Sequence, residues 1–495
     1  MQISSDRVSR ILGLVALVFI ASTTYGQAEK AKIPRFEKGP CAIEVPENIA
    51  FECGDLFVKE NRLKPKSREI RLPVIIVKST SENPEPDPVL YTAGGPGASS
   101  LGRARGARHL SKITAKRDLI IFEQRGTTFA EPAMPCPEVV EASQKAARED
   151  LRRDAATRLE LKAVRECRKR LVKEGVDLAA FDSAASAEDL EDLRRVLGYE
   201  KWNLYGLSYS TRLMLNYIRE HPENVRSVIL DSVLPPEVNW DETANDGVVL
   251  ALDRLFAACR ESGSCEKEYP DLRSRFLRFV VAKQEAPLKV SAEVDGNTYT
   301  MTLTGNDIFE FAYELLEDSG ALPEIPSKLN AVINGDNEPL VEFVRSRITR
   351  RGFVWGMRYS VWCREEMPFQ STLRIDMRND RYGFLRKFRI QGSFPEICRI
   401  WNVPPGLKIE NEPVSSDVPA LIFGGEFDPD TPPKWGKQVA GRFPNGYFFE
   451  VKGVSHGVLF ADQCAWESMV PAFLDDPSKK PDDSCLPKAP GIEFK

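Results

Sequence analysis

Residues 201–218, KWNLYGLSYSTRLMLNYI, constrain this chain more than any other stretch. A short apolar strand there runs straight into a small-residue turn and then into an amphipathic helix. The turn is Gly206-Leu207-Ser208-Tyr209-Ser210. A serine can occupy so sharp a strand-to-helix elbow only if the residues two before and two after it are small, because they pack against each other and against the adjoining strand. Gly206 meets that condition fully, and Ser210 replaces the usual second glycine with the next smallest polar residue. Ser208 is therefore a candidate nucleophile. The plainer alternative is a helix cap in which Ser208, Ser210 and Thr211 satisfy free N–H groups. The elbow alone leaves both open.

Strands precede and follow it at regular intervals. Ile70 to Val77, Val89 to Thr92, Leu119 to Glu123, residues 202–205 and Val225 to Leu230 read as strands. Helical patterning covers residues 138–175 and Ala185 to Leu197. Such alternation predicts an α/β fold: a mostly parallel sheet with helices on both faces. Residues 27–68, rich in Lys, Glu and Pro and carrying Cys41 and Cys53, read as an extended arm tied down by a bridge. From 239 to 414 the alternation stops: helical patterns such as Val248 to Cys259 and Ile308 to Leu316 dominate, with one hairpin-like stretch, Leu288 to Thr304. Strands return at Val418 to Phe423 and Tyr447 to Val451, and a helix from Trp466 to Leu474 closes the chain. The expected organisation is a leader at 1–26, a core in two parts at 27–238 and 415–495, and an inserted, largely helical cap at 239–414.

Residues 1–26 have the form of an export signal: Arg7 and Arg10, an apolar run from Ile11 to Ala21, and a small-residue exit from Ser22 to Gly26. That run is shorter than the about 20 residues of a bilayer-spanning helix, and no later stretch is long and apolar enough to cross a membrane. Removing the segment deletes Arg7, Arg10 and Asp6, one net positive charge, and takes the formal charge from −5 to −6. A mildly acidic chain argues against a nucleic-acid partner. Its one basic cluster, Arg103, Arg105, Arg108, Lys112, Lys116 and Arg117, reads as a solvated helix face. Ten cysteines, none in a C-x-x-C pair, behind an export signal point to disulfides in a secreted or periplasmic protein. The simplest pairing joins neighbours in chain order: Cys41 with Cys53, Cys136 with Cys167, Cys259 with Cys265, Cys363 with Cys398, and Cys464 with Cys485. Zinc is the competing use of cysteine, but three histidines and no finger spacing argue against it, and no metal or organic cofactor is expected.

A serine hydroxyl needs a histidine to take its proton and a carboxylate to hold that imidazole. His221 lies at the far end of the helix that Ser208 opens, and His109 follows a basic helical stretch with no strand end ahead of it. His456 follows a strand inside Gly453-Val454-Ser455-His456-Gly457, and it alone gives the order serine, acid, histidine. Asp428 and Asp430 compete for the acid in the loop after Phe423, with Asp231 a third candidate. Asp428 is favoured, being nearer the strand end and held by the turn of Gly425 and Pro429; Asp430 reads as a turn cap and Asp231 as a strand-end residue with its own hydrogen bonds. The backbone N–H groups of Gly95, in Gly94-Gly95-Pro96-Gly97, and of Tyr209 would form the oxyanion hole.

GGPG at 94–97, EQRGTT at 123–128, AEDLEDLRRVLG at 187–198, WNLYGLSYST at 202–211, GGEFDPDTPP at 424–433 and GVSHGV at 453–458 together resemble the tripeptidyl and prolyl aminopeptidase branch of the α/β-hydrolases. The resemblance covers nearly all of the chain after residue 26. It implies an α/β-hydrolase core with a helical cap over the site, a triad of Ser208, Asp428 and His456, and removal of residues from the free N-terminus of peptides. It also implies acidic cap residues that bind the α-ammonium group; Glu365 and Glu366, in SVWCREE, are the candidates, with surface ion pairing as the alternative. Ser210, Glu123 and Ala93 depart from the family pattern. An esterase or lipase acting through the same triad is the second reading, and a non-catalytic binding protein on the same fold the third.

Overall fold

The computed structural model describes residues 32–349, 352–385, 388 and 394–495, without the side chains of residues 107–110. The export-signal segment 1–26 and the side chain of His109 lie outside the described residues.

Nine strands make one sheet in the order β1-β2-β3-β5-β4-β6-β7-β10-β11. They are β1 (Arg35–Lys38), β2 (Phe51–Lys59), β3 (Glu69–Val77), β4 (Val89–Thr92), β5 (Leu119–Phe122), β6 (Trp202–Leu207), β7 (Val225–Asp231), β10 (Ala420–Gly425) and β11 (Gly446–Val451); β8 (Leu288–Val294) and β9 (Asn297–Leu303) form a separate hairpin. The six strands from β5 to β11 pair in parallel, whereas β1, β2 and β3 add an antiparallel edge. The parallel strands are short apolar runs because both faces are covered. Leu90, Ile120, Leu204, Leu230 and Ile422 pack under the helices Ser183–Leu197 and Tyr209–Glu220, while Tyr91, Ile121, Tyr205, Ile229 and Phe423 pack under the C-terminal segment of Trp466, Val470 and Phe473.

Two expectations change. The arm at 27–68 contributes two strands to the sheet, β1 and β2, which extend it at one edge. The helical run at 138–175 is two helices, α1 (Pro137–Arg148) and α2 (Arg153–Lys173), interrupted at Asp150, whose φ of 45° no helix interior accommodates. Both pack with the elements after residue 234. Val139, Val164 and Leu171 share one buried cluster with residues of α3 (Trp240–Ser262), α4 (Gly305–Glu317) and α5 (Trp355–Glu365). The helical layer over the sheet thus draws on two stretches of chain.

The cysteines pair as Cys41 with Cys53, Cys136 with Cys167, Cys259 with Cys265, Cys363 with Cys398, and Cys464 with Cys485. Bridges between near neighbours in sequence clip local segments, each worth about 2–4 kcal/mol where the compartment is oxidising. The basic cluster is not one solvated face. Arg117 is buried against Asp87, Lys116 pairs with Asp475, and the guanidinium of Arg103 lies 3.3 Å from the centre of the Phe460 ring. No helix among the described residues is long and apolar enough to cross a membrane.

Candidate active site

Strand order locates the site. From β4 the chain crosses to β5 on one side, and from β6 to β7 on the other, so a crevice opens beyond the carboxyl ends of β4 and β6. The loop after β4 carries Gly94 and Gly95, and β6 runs into Ser208. A cavity of about 970 Å³ lies there, lined by Gly94, Gly95, Ser208, Tyr209, Asp430 and His456 among others.

Ser208 sits at φ 59°, ψ −130°, a strained backbone that the elbow holds by packing and hydrogen bonds. Its N–H donates to the carbonyl of Asp231 (3.0 Å), and its carbonyl accepts from Thr211 N (2.9 Å) and Thr211 Oγ1 (2.6 Å). A Cβ on Gly206 would stand 2.8 Å from Ser210 O, which is why only glycine fits two residues before the serine. Ser210 fits because its hydroxyl is fully engaged. It accepts from Leu207 N (2.7 Å) and has the carbonyls of Thr92 (2.8 Å) and Leu207 (2.9 Å) as acceptors. The departure from glycine therefore stitches the elbow to the end of β4.

The loop after β4 lies directly against the elbow. A Cβ on Gly94 would come within 2.9 Å of Ser208 Cβ and 3.2 Å of Tyr209 N. Gly95 has φ 114°, which a side chain would strain. Tyr209 opens the elbow helix, where backbone N–H groups have no partner within the helix. Its phenol is tied to Ser183 Oγ at 2.7 Å, out of the chemistry. Glu123 braces the glycine loop from below: its carboxylate accepts from Ser99 Oγ, Ser100 N and Phe129 N. The neighbouring Arg125, fully buried, makes a two-pronged pair with Asp189. Glu123 and Gln124 thus brace the end of β4 and the glycine loop, while Arg125 ties the stretch to Asp189 and to the carbonyls of Glu60 and Ala180.

Opposite the elbow, His456 Nδ1 meets Asp428 Oδ2 at 3.0 Å. Asp428 Oδ1 accepts from the N–H groups of Asp430 (2.9 Å) and Thr431 (2.8 Å), and Oδ2 also accepts from Thr431 Oγ1 (2.6 Å). Burial pushes the Asp428 carboxyl up, but the His456 charge and these hydrogen bonds outweigh it and hold the group below the usual carboxylate range. Burial likewise pushes the His456 imidazolium down, while Asp428 foremost, then Asp430 and Glu317, raise it to about 10. The loops of the two residues interlock: a Cβ on Gly425 would fall 2.0 Å from Ser455 O. Asp231 holds the histidine loop rather than the imidazole. Its carboxylate accepts from Val458 N (2.9 Å) and Leu459 N (3.0 Å), and burial raises it to about 6. His221 is elsewhere, its Nε2 on Glu188 at 2.8 Å.

Glu365 and Glu366 do not line the cavity; they are 2% and 1% exposed and face Arg212 of the elbow helix. Glu366 pairs with that guanidinium and accepts from Trp240 N (2.8 Å), whereas Glu365 accepts from Ser183 N and Ser183 Oγ, both at 2.7 Å. Two acids at the carboxyl end of α5 face the negative end of the helix dipole, and once buried they need a cation. Neither the amine contact nor the surface pair expected from sequence matches this placement. Burial pushes Glu365 up to about 8 against the pull of Arg212.

The acidic lining comes instead from α4, where Asp307, Glu310, Glu314 and Glu317 share one face with Tyr313 and border the cavity. Arg347 neutralises Glu310 (3.1 Å) and Glu314 (2.9 Å). Tyr313 donates to Asp430 Oδ1 at 2.6 Å, and burial beside Asp430 raises the Glu317 carboxyl well above its usual range. The sequence carried a signal for this: acids at 307, 310, 314 and 317 recur with helical spacing opposite the apolar Ile308, Phe311, Ala312 and Leu316. Cys136, Glu138 and Cys167 cluster closely enough to suggest a metal site, but the two sulfurs are joined to each other.

The strained serine elbow, the histidine–aspartate pair across the cavity and the parallel sheet beneath define a serine hydrolase of α/β-hydrolase architecture. Residues 87–262 match the family described as alpha/beta hydrolase fold, and residues 387–485 match the family described as TAP-like protein. The chain is accordingly a serine hydrolase of the α/β-hydrolase fold whose C-terminal part is similar to TAP-like proteins. It is 22% identical to serine protease Hip1 of Mycobacterium tuberculosis over 449 residues, covering 85% of this chain and 84% of that one. It is 30% identical over 193 residues to the tripeptidyl aminopeptidase of Streptomyces lividans, covering 38% of this chain and 36% of the relative. With the proline iminopeptidase of Neisseria gonorrhoeae it shares 26% over 200 residues, 40% of this chain and 44% of the relative.

Proposed function

We propose that this serine hydrolase is an exported exopeptidase that releases residues or short peptides from free N-termini through Ser208, His456 and Asp428. The observation that carries the reading is the His456–Asp428 hydrogen bond of 3.0 Å bordering the same cavity as the strained Ser208 elbow. Ser208 Oγ attacks the peptide carbonyl as His456 takes its proton, and Asp428 holds the imidazole and stabilises the imidazolium. The N–H groups of Gly95 and Tyr209 receive the charge that develops on the carbonyl oxygen. His456 then protonates the leaving amine, the acyl-enzyme forms, and a water activated by the same histidine releases the acyl portion. Side chains, backbone donors and water suffice for each step. Five disulfides support export, since such bridges persist in oxidising compartments, a periplasm or the cell exterior.

The restriction to free N-termini rests on the acids beside His456. Asp430 and Glu317, joined through Tyr313, face a cavity of peptide size and would bind an α-ammonium group. A panel of aminoacyl, dipeptidyl and tripeptidyl p-nitroanilides, each with a free or acetylated N-terminus, tests this alongside p-nitrophenyl esters. Free-amine peptides are expected to turn over and acetylated ones to react poorly. Turnover of short esters with free peptides untouched would replace the reading with an esterase. In Asp430→Asn the KM for free-amine substrates is expected to rise about 10- to 100-fold, the range for one charge-assisted contact, with acetylated substrates little affected.

The pH dependence follows from the raised imidazolium. His456 must lose its proton to act as a base, so the rate of fluorophosphonate labelling, which involves no substrate amine, climbs with pH toward about 10. Removing the Asp430 charge withdraws one of the groups that hold the proton, so the rise moves to lower pH in Asp430→Asn. A pH profile of the second-order labelling rate for the two enzymes checks both statements; an unmoved rise would contradict the electrostatic account.

A further inference from the structure

Pro96 lacks an N–H, and Gly95, just before it, takes a backbone conformation that glycine adopts but does not hold by itself. Something must fix the peptide planes on both sides of Gly95 if its N–H is to point steadily at a developing oxyanion. On the near side the elbow does so, for Gly94 lies against Leu207 O and Ser208 Cβ without room for a side chain. On the far side the contacts come from the helical layer. Arg358 of α5 donates from Nη1 to the Gly95 carbonyl at 2.6 Å, and Val354 N donates to Gly97 O at 2.9 Å.

We propose that Arg358 is a positioning residue for the oxyanion hole: its guanidinium clamps the Gly95 carbonyl and so fixes the peptide plane after Gly95, while the elbow holds the plane before it, which carries the Gly95 N–H. This rests on the proposed role of Gly95. The guanidinium carbon lies 4.9 Å from the centre of the Phe353 ring and 4.8 Å from that of Trp362. The residue is 7% exposed. A guanidinium packed against two rings in a buried position has little freedom to swing away, and its Nη1 meets the carbonyl. Phe353 closes the same loop from above, its Cδ1 3.2 Å from where a Gly95 Cβ would stand. Gly97 is pinned in turn, because a Cβ there would lie 2.9 Å from Val354 O. The donor of the oxyanion hole is therefore aligned only while α5 is seated over the sheet. The layer that selects substrate also completes the machinery that acylates Ser208.

The role is distinguishable from mere packing. In Arg358→Ala and Arg358→Lys, kcat for a free tripeptidyl p-nitroanilide and the second-order rate of fluorophosphonate labelling should fall together by about 30- to 100-fold, the scale of a misaligned oxyanion donor, with KM within about threefold. Lysine keeps the charge but lacks the planar, multi-donor guanidinium that packs against the rings and reaches the carbonyl, so it should not restore the rate. Guanidinium ion at tens of millimolar should recover labelling of Arg358→Ala at least about tenfold. Retention of kcat and labelling within about threefold in either variant would overturn the proposal, as would a loss carried by KM or one that guanidinium leaves unrelieved in a folded Arg358→Ala. If the alanine variant does not fold, Arg358→Lys decides on kcat, KM and labelling alone. Failure of the wild-type enzyme to label or to turn over any substrate in the panel would count against the catalytic reading instead.

Discussion

Ser208→Ala is expected to abolish fluorophosphonate labelling and to lower kcat about a million-fold, the scale on which serine hydrolases lose activity with their nucleophile. No neighbour can substitute. Ser210, two residues on, is buried with its hydroxyl on Leu207 and Thr92, and Thr211 Oγ1 is on the Ser208 carbonyl. The variant should fold as well as wild type, since the strain at φ 59° belongs to the backbone and the Ser208 hydroxyl caps nothing in its own helix. Kinetics with the free tripeptidyl substrate, a labelling gel and a thermal melt form the complete measurement. A folded variant that still labels would move the nucleophile elsewhere.

Asp428→Asn is expected to cost about ten thousand-fold in kcat near neutral pH, with little change in KM. The amide oxygen can keep the hydrogen bonds from Asp430 N and Thr431 N, so the loop should stay in place. The amide nitrogen then faces His456 Nδ1, where the carboxylate accepted. A donor at that position forces the imidazole proton onto Nε2, the nitrogen that must receive the serine proton, and the base is lost while the geometry survives. The imidazolium also loses its strongest support, so labelling by fluorophosphonate should fall in parallel with kcat. Equal activity in Asp428→Asn would return the orienting role to Asp430 or Asp231.

How far each feature can be read from sequence depends on how local its cause is. The elbow is legible because the steric rule that makes it acts over five residues, and the structure meets that rule at Gly206 and Ser210. The histidine could be chosen among three because its loop follows a strand and is flanked by glycines. The pairing of cysteines in chain order agrees with the structure because each bridge closes a short loop. β1 and β2 were missed because their partners, not their own composition, make them strands. The break between α1 and α2 was missed because one left-handed residue, Asp150, ends a pattern that the flanking residues would otherwise continue.

The sequence by itself determined the parallel sheet, the serine elbow and the order of the residues around it, since strand periodicity, backbone sterics and short loops are settled within a few residues. Only the tertiary structure decided what those residues face. It turned Glu365 and Glu366 toward Arg212, which lies more than 150 residues away in the chain, and brought Asp430 to Tyr313. It also set Arg358 on the carbonyl of Gly95. A buried charge must find its counter-charge wherever the packing brings one, and no local pattern records which partner that will be.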